Sequence, residues 1–169
     1  MRGEIERMNE RREGFGEEYP RGDLMQGLML VTFLAIWGLD SFVFKVTLYG
    51  GVIQPPVRLV MATLLFLGAV PLGLGSHRLV FDEPPEEPKV IEEGVFGVVR
   101  HPLYLSIMLI YLGLVTATGS LASLILLVGV FIVYDRLAEY EEEALISIFK
   151  DEYEGYRGRV PKWVPFLKN

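Results

Sequence analysis

At 169 residues, 51% of them apolar, the chain holds material for one domain. A net charge of −6 excludes the basic face that a nucleic-acid partner requires. The absence of cysteine excludes disulfides, thiolate chemistry and Cys-ligated zinc, and no metal is expected. Mean hydropathy is +0.34, and charge is concentrated in a tail ending at Asp23, a stretch from His77 to His101 and a tail from Asp135. A soluble protein of this size needs charge on every element to keep its surface wet. This pattern therefore predicts an integral membrane protein.

Residues 1–23 read as a solvated tail, with Glu4, Glu6, Arg7, Glu10, Arg11, Arg12 and Glu13 carrying both signs. No cleavable leader is expected, since the first apolar run begins near Leu24 behind mixed charge and lacks a small-residue cleavage site after it. Residues 24–76 hold two predicted spans. Leu24 to Phe44 carries one charge, Asp40, and Leu59 to Ser76 carries none. An ionisable residue inside a span is costly, which makes Asp40 a functional candidate. Its plainer reading is a helix-end residue paired with Lys45.

The third region, residues 77–169, opens with Asp82-Glu83-Pro84-Pro85-Glu86-Glu87-Pro88, where repeated proline forbids a continuous helix. Gly94 marks a turn leading back to the membrane. Leu103 to Tyr134 is a 32-residue stretch without charge, too long for one span of about 20 residues. It breaks at Thr118-Gly119-Ser120 into a helical hairpin. The first arm, Leu103 to Thr118, has only 16 residues and calls for tilt or help from Pro102. The second arm continues past Asp135 as a helix through Leu137 to Phe149, where helix propensity is high. Backbone groups in lipid must be satisfied within each segment, and runs such as Leu124-Ile125-Leu126-Leu127-Val128 do not alternate as barrel strands do. The predicted fold is all-α, a polytopic membrane bundle of about four transmembrane helices with a C-terminal helical hairpin.

Orientation follows from Lys and Arg. Arg2, Arg7, Arg11, Arg12 and Arg21 precede the first span; Arg78, Lys89 and Arg100 lie in the middle loop; Arg136, Lys150, Arg157, Arg159, Lys162 and Lys168 follow the last. Only Lys45 and Arg58 fall on the opposite side. The positive-inside tendency puts both termini and the middle loop in the cytosol.

Three constellations share that side. Arg100-His101-Pro102-Leu103-Tyr104 stands at the threshold of the third span; as a plain boundary it supplies a snorkelling Arg, headgroup-level rings and a helix-starting Pro. Glu139-Tyr140-Glu141-Glu142-Glu143 lies beyond the fourth span and, read plainly, is a solvated face. The tail from Tyr153 to Phe166 reads plainly as an aromatic and basic strip on the interface. The hairpin, however, returns the glutamates to the level of Arg100 and His101. A basic, aromatic group then faces carboxylates, a lining suited to a polar cationic small ligand.

Gly94-Val95-Phe96, Arg100-His101-Pro102-Leu103-Tyr104, the uncharged hairpin, Glu141-Glu142 with Leu145 and Phe149, Tyr153 with Tyr156, and the tail Arg159-Val160-Pro161 with Pro165-Phe166 together resemble the isoprenylcysteine carboxyl methyltransferase and phospholipid methyltransferase superfamily. The resemblance covers about Pro88 to Phe166, and the tail matches the isoprenylcysteine branch best. It implies an integral membrane methyltransferase using S-adenosylmethionine in a cytosolic pocket closed by the tail, with residues 77–169 as the methyltransferase-like region. It further implies cofactor contacts from Pro88, Lys89, Val90 and Ile91, partly through backbone, and from Phe96, His101, Pro102, Leu103, Tyr104 and Glu141. Arg100, Arg136 and Glu142 are the implied catalytic residues, Glu142 standing beside Glu141 and Arg100 or Arg136 orienting the acceptor. Phe96 stands where the family commonly carries Tyr, which removes a hydroxyl. The implied acceptor is lipid-like or prenylated, reached from the membrane, and most simply an isoprenylcysteine-type carboxylate. A phospholipid amine is the alternative, with a Glu or His101 as base. A nicotinamide-dependent membrane reductase of similar architecture finds no Gly-x-Gly-x-x-Gly pattern here, and a non-enzymatic scaffold is the remaining reading.

Overall fold

The computed structural model describes residues 22–49, 51, 53–82, 85 and 88–165. The mixed-charge tail up to residue 21, most of the Pro-rich loop and Phe166 lie outside the described residues. Helix α1, Gly22–Gly38, runs on into a π-helical turn, Leu39–Phe44. Helix α2, Pro55–His77, does the same through Arg78–Asp82. A 3-10 turn, Gly94–Gly97, precedes α3, Pro102–Thr118; then come α4, Leu121–Phe149, and α5, Asp151–Arg159. The described residues form no strand, only a single bridge between Leu48 and Ser120.

Among the described residues three segments are long and apolar enough to cross a membrane: Leu24–Phe44, Pro55–Asp82 and Leu121–Phe149. Helix α3 is apolar but has only 17 residues. At 1.5 Å per residue it reaches about 26 Å, short of a hydrocarbon core of about 30 Å. Its two ends explain how it is accommodated. Pro102 occupies its first turn, where a missing N–H costs nothing. At the other end Gly119 turns left-handed with φ 77°, donating its N–H to Val115 O at 2.7 Å. Ser120 then caps α4, its hydroxyl accepting from the Ser123 N–H at 3.2 Å.

This turn is held by the segment after α1. Tyr49 N–H donates to Gly119 O at 3.0 Å and Leu121 N–H to Thr47 O at 3.1 Å. Asp40 lies against the same turn, accepting from the Thr47 N–H at 3.0 Å and from the hydroxyls of Thr47 and Ser120, each at 2.5 Å. Its carboxylate partners are these groups and not Lys45, whose backbone N–H instead bonds the Asp40 carbonyl at 2.9 Å. Arg58 donates to Thr118 O at 2.9 Å from the start of α2. The short helix thus ends in protein hydrogen bonds, where an unsupported end would leave polar groups in lipid.

Helix α2 lies along α3 at close range because small residues line the seam. A Cβ on Gly113 would come within 2.7 Å of the Phe66 ring, and one on Gly73 within 2.7 Å of the Ser106 hydroxyl. Between α1, α3 and α4 sits a buried cluster that includes Phe33, Tyr104, Met108, Tyr111, Leu127, Val130, Tyr134 and Leu137. Phe33 stacks on Tyr111 with centroids 4.2 Å apart, and Tyr104 meets Tyr134 edge-on at 5.1 Å. This aromatic packing fixes the rotation of α4 about its axis.

At Gly119 a Cβ would stand 2.6 Å from Arg58 Nη1 on a left-handed backbone. Gly119→Ala is therefore expected to cost about 1–2 kcal/mol from backbone strain alone, with the displaced guanidinium adding to it. Gly129, inside α4, has open space around the place a Cβ would take, with nothing within 4 Å, and serves as control. Thermal unfolding in detergent should show a lowered midpoint for Gly119→Ala and no lowering for Gly129→Ala.

Candidate active site

The apolar part of α4 ends at Tyr134, and the helix continues for about four further turns. That extension carries Glu141 and Glu142 to the end of the bundle where His101 precedes α3. Adjacent helical residues point about 100° apart, so the two carboxylates face different ways, with His101 between them.

Glu142 turns inward. Its side chain is 5% exposed and takes Arg100 in a two-pronged pair, Nε to Oε1 at 2.9 Å and Nη2 to Oε2 at 3.3 Å. His101 Nε2 lies 2.9 Å from the same Oε1, and Arg157 Nε approaches Oε2 at 3.4 Å. Burial alone would push the Glu142 carboxyl up, but hydrogen bonds from His101 and Arg100, with the guanidinium's charge, hold it below its ordinary value. It is an anion at neutral pH.

Arg100 also fastens the C-terminal segment. Its Nη1 donates to the carbonyls of Val160 at 2.7 Å and Arg157 at 3.1 Å, and its backbone N–H to Pro161 O at 3.0 Å. The Tyr156 hydroxyl donates to Phe96 O at 2.8 Å, and Arg159 pairs with Glu92 at 2.6 Å. Val90, Tyr153, Tyr156 and Val160 form a second buried cluster beneath. Burial pushes both tyrosine hydroxyls up, out of their ordinary range, so they stay neutral.

Glu141 faces a different way. The Tyr104 hydroxyl donates to its Oε1, and His101 Nδ1 stands 3.7 Å from its Oε2. Its side chain is 36% exposed, unlike that of Glu142. The rings of His101 and Tyr104 are parallel within 6° at 5.8 Å, and Trp163 lies 5.7 Å from His101. A reachable carboxylate therefore opens beside a stack of aromatic faces. Such a set fits a small cation bearing an amine or hydroxyls, through charge-assisted hydrogen bonds and cation–π attraction.

Of the residues expected from sequence, the structure brings together Arg100, His101, Pro102, Tyr104, Glu141 and Glu142. Arg100 is wholly engaged by Glu142 and the tail carbonyls, which gives it a positioning role in this arrangement. Arg136 is not brought in; it pairs with Glu139 at 2.9 Å on the exposed side of α4. Leu103 is 38% exposed on the outer face of α3. Pro88 and Lys89 are exposed, Lys89 pairing with Glu93 at 3.0 Å, and Val90 packs against α5 with its N–H on Glu152 at 3.2 Å. Ile91 is half-buried, and the segment from Pro88 to Ile91 is not a strand. Phe96 contributes its carbonyl to the tail. Asp135, Lys162 and Trp163, absent from the expected site residues, meet beside it: Asp135 Oδ1 accepts from Lys162 Nζ at 2.6 Å and from the Trp163 indole N–H at 2.7 Å. A lone carboxylate where a span meets water, followed by a Lys-Trp pair in a tail bound to return, was the available signal.

A polytopic helical bundle with a carboxylate and aromatic site at one end of a hairpin is the class these features define. The profile of the phospholipid methyltransferase family matches residues 57–152, more than half of the chain, and the chain belongs to that family. It is similar to a methanethiol S-methyltransferase of Crocosphaera subtropica, 29% identical over 136 residues, covering 79% of this chain and 52% of that protein. It is similar also to a protein-S-isoprenylcysteine O-methyltransferase of Schizosaccharomyces pombe, 27% identical over 99 residues (58% of this chain, 42% of the relative). Protein-S-isoprenylcysteine O-methyltransferase B of Arabidopsis thaliana is 31% identical over 96 residues (56% and 49%). The chain spans about half the length of these curated relatives.

Removing Glu142 would leave Arg100 buried and unpaired. Glu142→Ala is expected to cost about 3–5 kcal/mol and Glu142→Gln less, read as the thermal midpoint in detergent. Because the folded carboxyl titrates below its ordinary value, its stabilisation is complete above the unfolded value and fades as pH falls through the depressed one. The wild-type midpoint should therefore drop more steeply than that of Glu142→Gln on acidification below the ordinary carboxylate range.

Proposed function

We propose that this chain is an integral membrane methyltransferase that uses S-adenosylmethionine to methylate a lipid-like acceptor, most simply the carboxylate of an isoprenylcysteine-type substrate. The observation that carries this reading is the meeting of His101 and Tyr104 with the half-open Glu141 carboxylate under a fastened tail, in a chain of this family. The distribution of Lys and Arg supports a cytosolic site with both termini on that side.

S-adenosylmethionine, when bound, supplies a methyl group already activated by its sulfonium. Glu141 would hold the amine or ribose hydroxyls, and the rings of His101, Tyr104 and Trp163 would face the cationic part. What remains for the protein is alignment and exclusion of water. The buried Arg100–Glu142 pair holds the tail in place, and the tail covers the end of the bundle where His101 stands. A carboxylate acceptor needs no base, being a nucleophile already. An acceptor bearing a proton would need one, and His101, between Glu141 and Glu142, is suited to take it.

A thiol acceptor is the second reading, favoured by the similarity to a methanethiol S-methyltransferase over 79% of the chain. A phospholipid amine is not favoured, since the relatives described above are named for methanethiol or isoprenylcysteine.

Calorimetry on the detergent-solubilised chain should detect S-adenosylhomocysteine, and Glu141→Ala should weaken it at least tenfold, about 1.4 kcal/mol. NADPH bound in its place would overturn the methyltransferase reading in favour of a reductase, and binding of neither would favour a scaffold. Methyl transfer to a farnesylcysteine analogue, compared with an alkyl thiol and phosphatidylethanolamine, then separates the acceptors.

A further inference from the structure

We infer that Asp135 is a positioning residue that sets the aromatic roof of the site through Lys162 and Trp163. This inference rests on the proposed cofactor reading and extends it to a group that does not itself touch the ligand.

Asp135 is the first charged residue after the apolar run of α4. One oxygen, Oδ1, accepts from both Lys162 Nζ at 2.6 Å and Trp163 Nε1 at 2.7 Å, while Lys162 also reaches the Asp135 carbonyl at 3.2 Å. Lys162 is 8% exposed, an unusual place for an ammonium, and Asp135 is its near counter-charge, with Glu139 at 3.9 Å. Two successive residues of the tail are therefore fixed to one carboxylate on α4. The Trp163 ring is thereby set between Phe131 at 5.5 Å and His101 at 5.7 Å, with Lys162 Nζ 5.7 Å from its centroid.

The arrangement differs from the Arg100 clasp in what it controls. Arg100 binds the backbone at Arg157, Val160 and Pro161 and so holds the tail's path. The Asp135 bonds act on side chains and set the orientation of one ring. An indole has one donor, and when that donor is fixed, rotation about its side-chain bonds is largely lost. The entropy of ordering the ring is then met before a ligand arrives, which favours binding through preorganisation. Asp135 should therefore govern affinity for the cationic donor more than the rate of transfer once the donor is bound.

The chain has two tryptophans, so Trp37→Phe leaves Trp163 as the single indole fluorophore. In that background S-adenosylhomocysteine should shift Trp163 emission, and Asp135→Ala should abolish most of the shift. In the full chain Asp135→Ala should raise the Kd for S-adenosylhomocysteine and the KM for S-adenosylmethionine about tenfold, with kcat at saturating donor within twofold. Asp135→Asn, which keeps an acceptor for the indole, should recover most of the affinity. Trp163→Phe keeps a ring without its donor and should fall between wild type and Asp135→Ala, giving a second measure if the alanine variant folds poorly. An unchanged Kd in both Asp135→Ala and Trp163→Phe would overturn the assignment, as would a loss confined to kcat. If the wild type binds no S-adenosylhomocysteine, the cofactor reading itself falls and this inference with it; if the wild type binds and the variants bind equally, only this inference falls.

Discussion

The guanidinium of Arg100 meets the carboxylate of Glu142 where side-chain exposures are only 3% and 5%. Taking two charges out of water costs several kcal/mol per ion, and only close geometry with further hydrogen bonds offsets that. Glu142 collects such bonds from His101, and Arg100 delivers its remaining donors to two tail carbonyls. Three parts of the chain are consequently held at one point: the threshold of α3, the extension of α4 and the segment after α5. Lysine in place of Arg100 could not serve all of these acceptors, because its donors radiate from a single atom.

The arrangement at the opposite end of the bundle makes this possible. Helix α3 is short, and a turn left to lipid at Gly119 would expose carbonyls without partners. The Tyr49 N–H and Arg58 partner the carbonyls of Gly119 and Thr118, while Thr47 and Asp40 accept the Leu121 N–H and the Ser120 hydroxyl. With the hairpin pinned there and the aromatic cluster filling its interior, α4 has one rotation about its axis. That rotation decides that Glu142 faces Arg100 and Glu141 faces Tyr104. The two glutamates, adjacent in sequence, acquire separate tasks because a helix turns them apart. One holds the protein together and the other is left reachable.

Most of the charged groups around the aromatic stack are held by the fold. Arg100, Glu142, Lys162 and Asp135 are engaged with one another or with backbone. Arg136 and Lys89 pair on the surface. Tyr104 and Trp163 bring polar tips to carboxylates while their faces border His101, a use of amphipathic rings suited to a site at the edge of a membrane.

Much of this was legible in the sequence. Leu24 to Phe44 was readable as a span from its composition, and the break at Thr118-Gly119-Ser120 from a charge-free stretch too long for one crossing. Backbone polar groups in hydrocarbon have no water to turn to, so an apolar run of sufficient length must be helical whatever surrounds it. The order of Arg100-His101, the hairpin and Glu141-Glu142 put the two halves of the site on one side for the same reason, since a hairpin returns to where it began. The partners of individual side chains were not legible. Asp40 finds Ser120, 80 residues away, in preference to the neighbouring Lys45, and Asp135 finds Trp163, 28 residues on. The sequence by itself determined which segments are apolar helices and which ends lie together, because solvent imposes that locally. Only the tertiary structure decided which carboxylate is buried, which is reachable and which holds the tail, because those depend on how tightly packed helices are rotated against one another.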